Sequence, residues 1–394
     1  MKHAALGKEF VLLLLMISFV IGFPKIKKMQ WLPPSVFAVI LGMFVSILAG
    51  QSVQFETEMF LYLGLPPILF HSALKFKYSS FKKTWLSSVG MAWLVTLCSV
   101  FLIAWGIMVW LNGTPDAMSF TEALLLASVL APTDTVATLS LIHYVAENDV
   151  DESSQLVLNV LENESVMNDA ICVVLVRLWS LALDSHQKLD RWIPMEVVSL
   201  SILYSALAVL FGYTIATIMN RINTVDMTMH YVVALMVYAS CECVNISGIL
   251  GLFVYGSILN CPKDVESAVG SLSLMIESAV YLFLGLSIHS YDFSSMGSSL
   301  LILLSCLSSR VIVVFVLGAF LRCCGRKFWG CRSLLFFSMC SVRGAISFAL
   351  SHNLDDNFAK STIFVIIIVT MLLLGSMQRF MFRLLLTKEP LLLK

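Results

Sequence analysis

Leu161-Glu162-Asn163-Glu164-Ser165-Val166-Met167-Asn168-Asp169-Ala170-Ile171-Cys172-Val173-Val174 sets Glu164, Ser165, Asn168 and Asp169 inside a stretch otherwise built to lie in a membrane. A charge at the bilayer centre costs roughly 2.5–3.5 kcal/mol even on the lenient insertion scale. A chain that keeps two carboxylates and an asparagine there has a use for them. Glu164 and Asn168 are four residues apart, as are Ser165 and Asp169, so all four are expected on one helical face. Such a face can hold a cation while the flanking Val and Leu side chains meet lipid or neighbouring helices.

The rest of the chain agrees with a membrane setting. Of its 394 residues 59% are hydrophobic and 13% charged, and the mean hydropathy is +0.89. Soluble domains carry about a quarter charged residues, so this composition reads as an all-α polytopic membrane protein. The formal net charge is zero and neither end carries a basic arm, which argues against a nucleic-acid partner. Cys98, Cys172, Cys241, Cys306 and Cys340 fall in apolar segments, which is no disulfide framework. Cys323, Cys324 and Cys331 sit in a basic loop without histidines to complete a metal site. No H-E-x-x-H, P-loop or G-x-S-x-G sequence occurs. The expectation is therefore no enzyme and no cofactor.

Thirteen apolar runs are candidate membrane spans: 10–23, 34–50, 57–74, 84–111, 120–143, 155–184, 194–220, 228–244, 247–261, 268–290, 297–321, 333–353 and 360–385. The first is short enough to be a signal peptide, but Pro24 and lysines follow it rather than a small-residue cleavage site, which favours a retained helix. The eighth and ninth are short and could merge, which would change the parity. With thirteen spans, alternate loops hold seventeen Lys and Arg on one side and five on the other. That bias places the C-terminus in the cytosol and the N-terminus outside. The sequon Asn112-Gly113-Thr114 then lies outside. The expected organisation is one transmembrane domain over 1–394, with a first repeat at 10–184, a linking helix at 194–220 and a second repeat at 228–385. No soluble regulatory tail is expected.

More polar residues interrupt the spans. Leu130-Ala131-Pro132-Thr133-Asp134-Thr135-Val136 lies mid-span, and Pro132 removes a backbone donor. Thr133 and Thr135 offer hydroxyls to the freed carbonyls, and Asp134 stands beside the break. A broken helix with a mid-membrane carboxylate is a way to present carbonyl oxygens and a counter-charge to a cation. Arg310, in Ser309-Arg310-Val311, needs a buried carboxylate partner, with Glu164 and Glu277 as candidates. Arg343 precedes Gly344, which permits a break. A structural ion pair is the favoured reading of both arginines. If spans 1–6 and 8–13 are inverted repeats, the fifth and twelfth correspond, and these are the two interrupted spans. Glu242 and Glu277 are further carboxylates in or near spans. His71 and Arg177 read as local partners, and Glu162 as the edge of the polar face.

Taken in order, these blocks resemble the monovalent cation/proton antiporters, specifically the electroneutral sodium/proton exchanger family. Leu65-Pro66-Pro67-Ile68-Leu69-Phe70, Thr133-Asp134 and Glu164-Ser165-Val166-Met167-Asn168-Asp169-Ala170 are similar to its early motifs. Ser247-Gly248-Ile249, Phe283-Leu284-Gly285-Leu286-Ser287, Ser309-Arg310-Val311 and Val342-Arg343-Gly344-Ala345-Ile346 are similar to its later ones. The resemblance implies about thirteen transmembrane helices in two inverted repeats with crossed broken helices, a homodimer in a lipid bilayer and an elevator-like alternation. It implies Na⁺ and H⁺ as transported ions, with Asp169 and Asp134 towards Na⁺ and with Asn168, Thr133 and Ser165 in support. Glu164 and Arg310 are implied as a structural ion pair, with Arg343 and Glu277 as candidate supports. Thr135 departs from the family's proline, Asn163 from its glycine and His71 from an acidic residue.

The expected mechanism is one carboxylate with two exclusive occupants. Asp169 binds Na⁺, or K⁺ or Li⁺, when ionised and H⁺ when not, so exchange is one for one. The three departures motivate an alternative, a non-transporting membrane scaffold or regulator with a degenerate site. A cation channel is a third class, but no Gly-rich filter-like loop supports it.

Overall fold

A computed structural model of the chain describes residues 16–22, 33–49, 60–76, 78–134, 152–184, 195–222, 226–244, 246–325, 329–351, 354 and 356–386. Every regular element among them is helical. After a short helix at 16–22 come α1 (Pro34–Ala49), α2 (Leu65–Lys75, entered through a π turn), α3 (Tyr78–Gly90) and α4 (Thr96–Leu111). A π turn, Met91–Val95, joins α3 to α4. Then follow α5 (Phe120–Leu130), α6 (Glu152–Asp184), α7 (Met195–Ile222), α8 (Met227–Cys243), α9 (Gly248–Ile258) and α10 (Lys263–Leu286). The last are α11 (Met296–Cys323), α12 (Cys331–Met339), α13 (Ala345–Ser351), α14 (Asn357–Thr370) and α15 (Ser376–Leu386). Among the described residues, six helical stretches are long and apolar enough to cross a membrane. α6, at 33 residues, is about 50 Å long, more than one bilayer thickness.

Local chemistry sets the boundaries. Ser119 starts α5 through a reciprocal capping box with Glu122. Asp226, Ser247 and Asp356 accept backbone N–H groups at the starts of α8, α9 and α14. The Ser247 cap starts α9 as a helix separate from α8, so the eighth and ninth apolar runs do not form one continuous helix.

The two expected interruptions are present. α5 stops at Leu130 and residues 131–134 are non-helical; residues 135–151, and with them Thr135, lie outside the described residues. Residues 340–344 separate α12 from α13. The two breaks meet: the Asp134 N–H donates to the Val342 carbonyl at 2.8 Å.

The helices pack as two groups. α1, α2, α7, α8, α9 and α10 contact one another, and α3–α6 pack with α11–α15. α1 and α10 approach backbone to backbone. A Cβ at Gly42 would lie 2.3 Å from the Leu282 carbonyl oxygen, and one at Gly285 2.3 Å from that of Val39. Such small-residue contacts are how membrane helices gain packing where the hydrophobic effect cannot drive them together. The groups meet where α6 packs on α2, α7 and α9 and where α13 packs on α10.

Candidate functional site

Between the groups lies a cavity of about 40 Å³. Ile68, Ser72, Glu277 and Tyr281 form one wall, and Asp134, Ser165, Asp169 and Gly344 belong to the other. At roughly 10–15 Å³ per enclosed water, this space holds only a few small occupants. Asp169 is 9% exposed, and among the described residues no hydrogen-bonding or ion-pair partner is found for its carboxylate.

The four polar residues of α6 do not act as one face. Glu164 turns away from the cavity to α11, where its carboxylate accepts two bonds from Arg310, at 2.6 and 3.2 Å. Both side chains are buried, at 0% and 3% exposure. The fork geometry suits a desolvated pair, and the Phe337 ring lies 5.1 Å from the Arg310 guanidinium carbon. Of the two carboxylates expected as partners, Arg310 takes Glu164. Glu277 instead accepts from Ser273 Oγ at 3.1 Å and lines the cavity.

The break after α5 is capped by side chains. Arg343 Nη1 donates to the carbonyls of Ala131, at 2.6 Å, and Pro132, at 3.1 Å. Asn168 Nδ2 also donates to the Ala131 carbonyl, and Ser165 Oγ to that of Thr133 at 3.2 Å. The expectation that these carbonyls stand wholly open to a cation is therefore corrected: each accepts at least one bond from a protein donor. The ion-pair reading of Arg343 is corrected as well. Among the described residues no carboxylate pairs with it. Its positive charge sits at the C-terminal end of α5, where the carbonyl dipoles favour a cation. Thr370 on α14 holds the Arg343 backbone by accepting its N–H.

Gly344 makes room for Asp134. A Cβ there would lie 2.2 Å from Asp134 Oδ2, so the carboxylate rests on the glycine backbone at the second break. Asn168 is buried, with Thr96 Oγ1 donating to its Oδ1 at 2.8 Å and its Nδ2 donating to Thr133 Oγ1 at 3.1 Å. Sequence reading missed Thr96. A single threonine hydroxyl in the apolar run 84–111, which also holds Thr84, carries no signal of its own, because its partner is distant in the chain.

A family model described as "Sodium/hydrogen exchanger, transmembrane" matches residues 11–387. The chain belongs to the sodium/hydrogen exchanger family. It is 26% identical to human sodium/hydrogen exchanger 8 over 422 residues, covering 93% of this chain and 69% of that protein. It is 24% identical to sodium/hydrogen exchanger 5 of Arabidopsis thaliana, covering 95% and 78%. It spans only 48% of sodium/hydrogen exchanger 1 of Dictyostelium discoideum. In fold it is similar to the sodium proton antiporter MjNhaP1 of Methanocaldococcus jannaschii. The match has a TM-score of 0.71 at 17% identity and covers 95% of this chain and 99% of that one.

Two departures from the exchanger motifs make ordinary contacts. The Asn163 amide donates to Ser88 Oγ on α3 at 3.3 Å. His71 packs against Gly270, where a Cβ would lie 2.7 Å from the imidazole Nε2. Arg177, expected as a local partner, pairs with Glu242 and also donates to the Ile246 carbonyl. Glu242 in turn accepts the Gly248 N–H at 2.9 Å. Together these bonds tie α6 to the α8–α9 turn. They line a second cavity of about 360 Å³ that shares Leu65 and Ile346 with the smaller one.

Proposed function

We propose that this exchanger-family chain is a secondary antiporter that moves Na⁺ in one direction and H⁺ in the other, one for one, through Asp169. The observation that carries the reading is a buried carboxylate without a hydrogen-bonding or ion-pair partner among the described residues, on the wall of a small cavity at two crossed helix breaks. Its surroundings support that role. Arg343, Asn168 and Ser165 donate to the break carbonyls, and the carboxylates of Asp169, Asp134 and Glu277 line the cavity.

Charge accounting supports electroneutral exchange. Glu164 is balanced by Arg310, and Asn168 beside Asp169 is neutral. Asp169 then holds either one Na⁺ as the ion or one H⁺ as the acid. The two occupants compete, and each carries one positive charge. Exposing Asp169 to the two sides in turn couples the two gradients. Arg343 places a fixed positive charge at the end of α5, and Asp134 places a negative one across the breaks. K⁺ and Li⁺ meet the same carboxylates, so a flux series across the three ions measures the preference.

We read the chain as multi-pass, in the plasma membrane or an endomembrane, with a cytosolic C-terminus. The Lys and Arg distribution supports that orientation. A homodimer follows from the family resemblance, and the exposed apolar side of α7, with Ile202, Leu203, Leu210, Tyr213 and Ile218, suits a lipid or subunit contact. The deciding experiment is Na⁺-driven proton flux in proteoliposomes, with Asp169→Asn beside the wild type.

A further inference from the structure

Asn168 has four hydrogen-bonding positions on its amide, two acceptor and two donor. All four are used. Oδ1 accepts from Thr96 Oγ1 at 2.8 Å and from the Cys172 thiol at 3.2 Å. Nδ2 donates to Thr133 Oγ1 at 3.1 Å and to the Ala131 carbonyl at 3.4 Å. The residue is fully buried. Its oxygen therefore has no lone pair left for a cation.

The Ala131 carbonyl, which can only accept, sets which way this amide lies, and the Thr96 hydroxyl then holds its oxygen. A thiol is a weak donor, and the Thr96 hydroxyl makes the shortest of the four contacts. A reversed amide would set its oxygen against the Ala131 carbonyl oxygen and lose that bond. A helical threonine commonly turns its hydroxyl back onto a carbonyl three or four residues earlier. Thr96 reaches across to α6 instead, and the π turn Met91–Val95 explains the direction. Eight residues of unbroken α-helix from Ser88 to Thr96 would turn about 800°, leaving the two about 80° apart around the axis. Absorbing one residue in a π turn reduces this to about 700°, within about 20° of two full turns. Ser88 and Thr96 thus share a face, and both meet α6: Ser88 through Asn163 and Thr96 through Asn168.

We infer that Thr96 is a positioning residue for cation exchange. By holding Asn168 Oδ1 it keeps the amide nitrogen on Thr133 and Ala131, fixes the break beside Asp134, and leaves cation ligation to the carboxylates of the cavity. The inference rests on the antiport reading and goes beyond it, since Thr96 is not among the residues that line the Asp169 cavity.

The test uses full-length protein in proteoliposomes, with Na⁺-driven proton flux measured against Na⁺ concentration and thermal unfolding followed in parallel. Thr96→Val, which keeps the shape and removes the hydroxyl, raises the apparent KM for Na⁺ about three- to ten-fold with a maximal rate within about two-fold of wild type. Thr96→Ser, which keeps the hydroxyl, restores the wild-type KM. In an Asn168→Ala background, Thr96→Val adds no further change in KM. An unchanged KM in Thr96→Val, or the same rise in Thr96→Ser, overturns the inference while wild-type exchange leaves the antiport reading standing. A wild-type protein without Na⁺-driven proton flux overturns that reading, and the inference with it.

Discussion

Glu164 and Asp169 stand five residues apart on one helix in opposite circumstances. Glu164 is clamped by Arg310, whereas Asp169 faces a cavity and has no hydrogen-bonding or ion-pair partner among the described residues. Removing one member of a buried pair leaves an uncompensated charge and costs about 3–5 kcal/mol. Glu164→Gln and Arg310→Ala are each expected to lower the unfolding temperature sharply. The double variant Glu164→Leu, Arg310→Met, with no buried charge, recovers most of the loss. A double variant as unstable as either single one contradicts a structural role for the pair. Asp169→Asn removes charge from a position with no partner to orphan, so it is expected to leave stability near wild type. The sequence made these residues visible because ionisable groups are rare in apolar runs. Spacing alone did not divide their roles; the family resemblance did, pairing Glu164 with Arg310 and turning Asp169 towards Na⁺. Which residue faces Arg310 and which faces the cavity depends on how α6 is rotated against α11.

At the scale of elements, the breaks in the fifth and twelfth spans were legible, through Pro132 and through Arg343-Gly344. What fills them was not. Pro132 signals a lost donor, but the donors that cap the carbonyls come from α6 and the second break, 32 to 212 residues away in sequence. Thr96 was invisible for the same reason, and the π turn that aims it has no composition signature. The crossing makes Gly344 specific. Gly344→Ala would bring a Cβ to 2.2 Å from Asp134 Oδ2. Exchange is expected to fall at least about ten-fold, because a misplacement of about an ångström suffices for a far larger loss. Membrane insertion, read by yield and a monodisperse elution profile, is retained. A Gly344→Ala protein that exchanges normally contradicts the placement of Asp134. Away from the site, Gly285→Leu is expected to separate α1 from α10 and lower thermal stability, since the Val39 carbonyl leaves no room for a side chain.

For the whole molecule, the composition, the span pattern and seven ordered motifs were enough to place the chain in an all-helical exchanger fold. The division into two facing helix groups was not readable, because it depends on contacts such as Gly42 with Gly285 that lie far apart in the chain. The site sits where those groups meet, as a binding site would if both sides of the membrane are to reach it. One unpaired carboxylate exchanging one Na⁺ for one H⁺ moves no net charge. Proton flux is therefore expected to be insensitive to a potential clamped with K⁺ and valinomycin. Acceleration by an inside-negative potential contradicts the one-for-one stoichiometry.

The central claim is that a single carboxylate, Asp169, is shared in turn by the cation and the proton. The most direct measurement is the intravesicular pH change after a Na⁺ pulse, in proteoliposomes matched for protein content and orientation. The account predicts a rapid Na⁺-dependent pH change with the wild type and none above protein-free vesicles with Asp169→Asn, although both proteins insert and unfold at similar temperatures. Near-normal exchange by Asp169→Asn would contradict it.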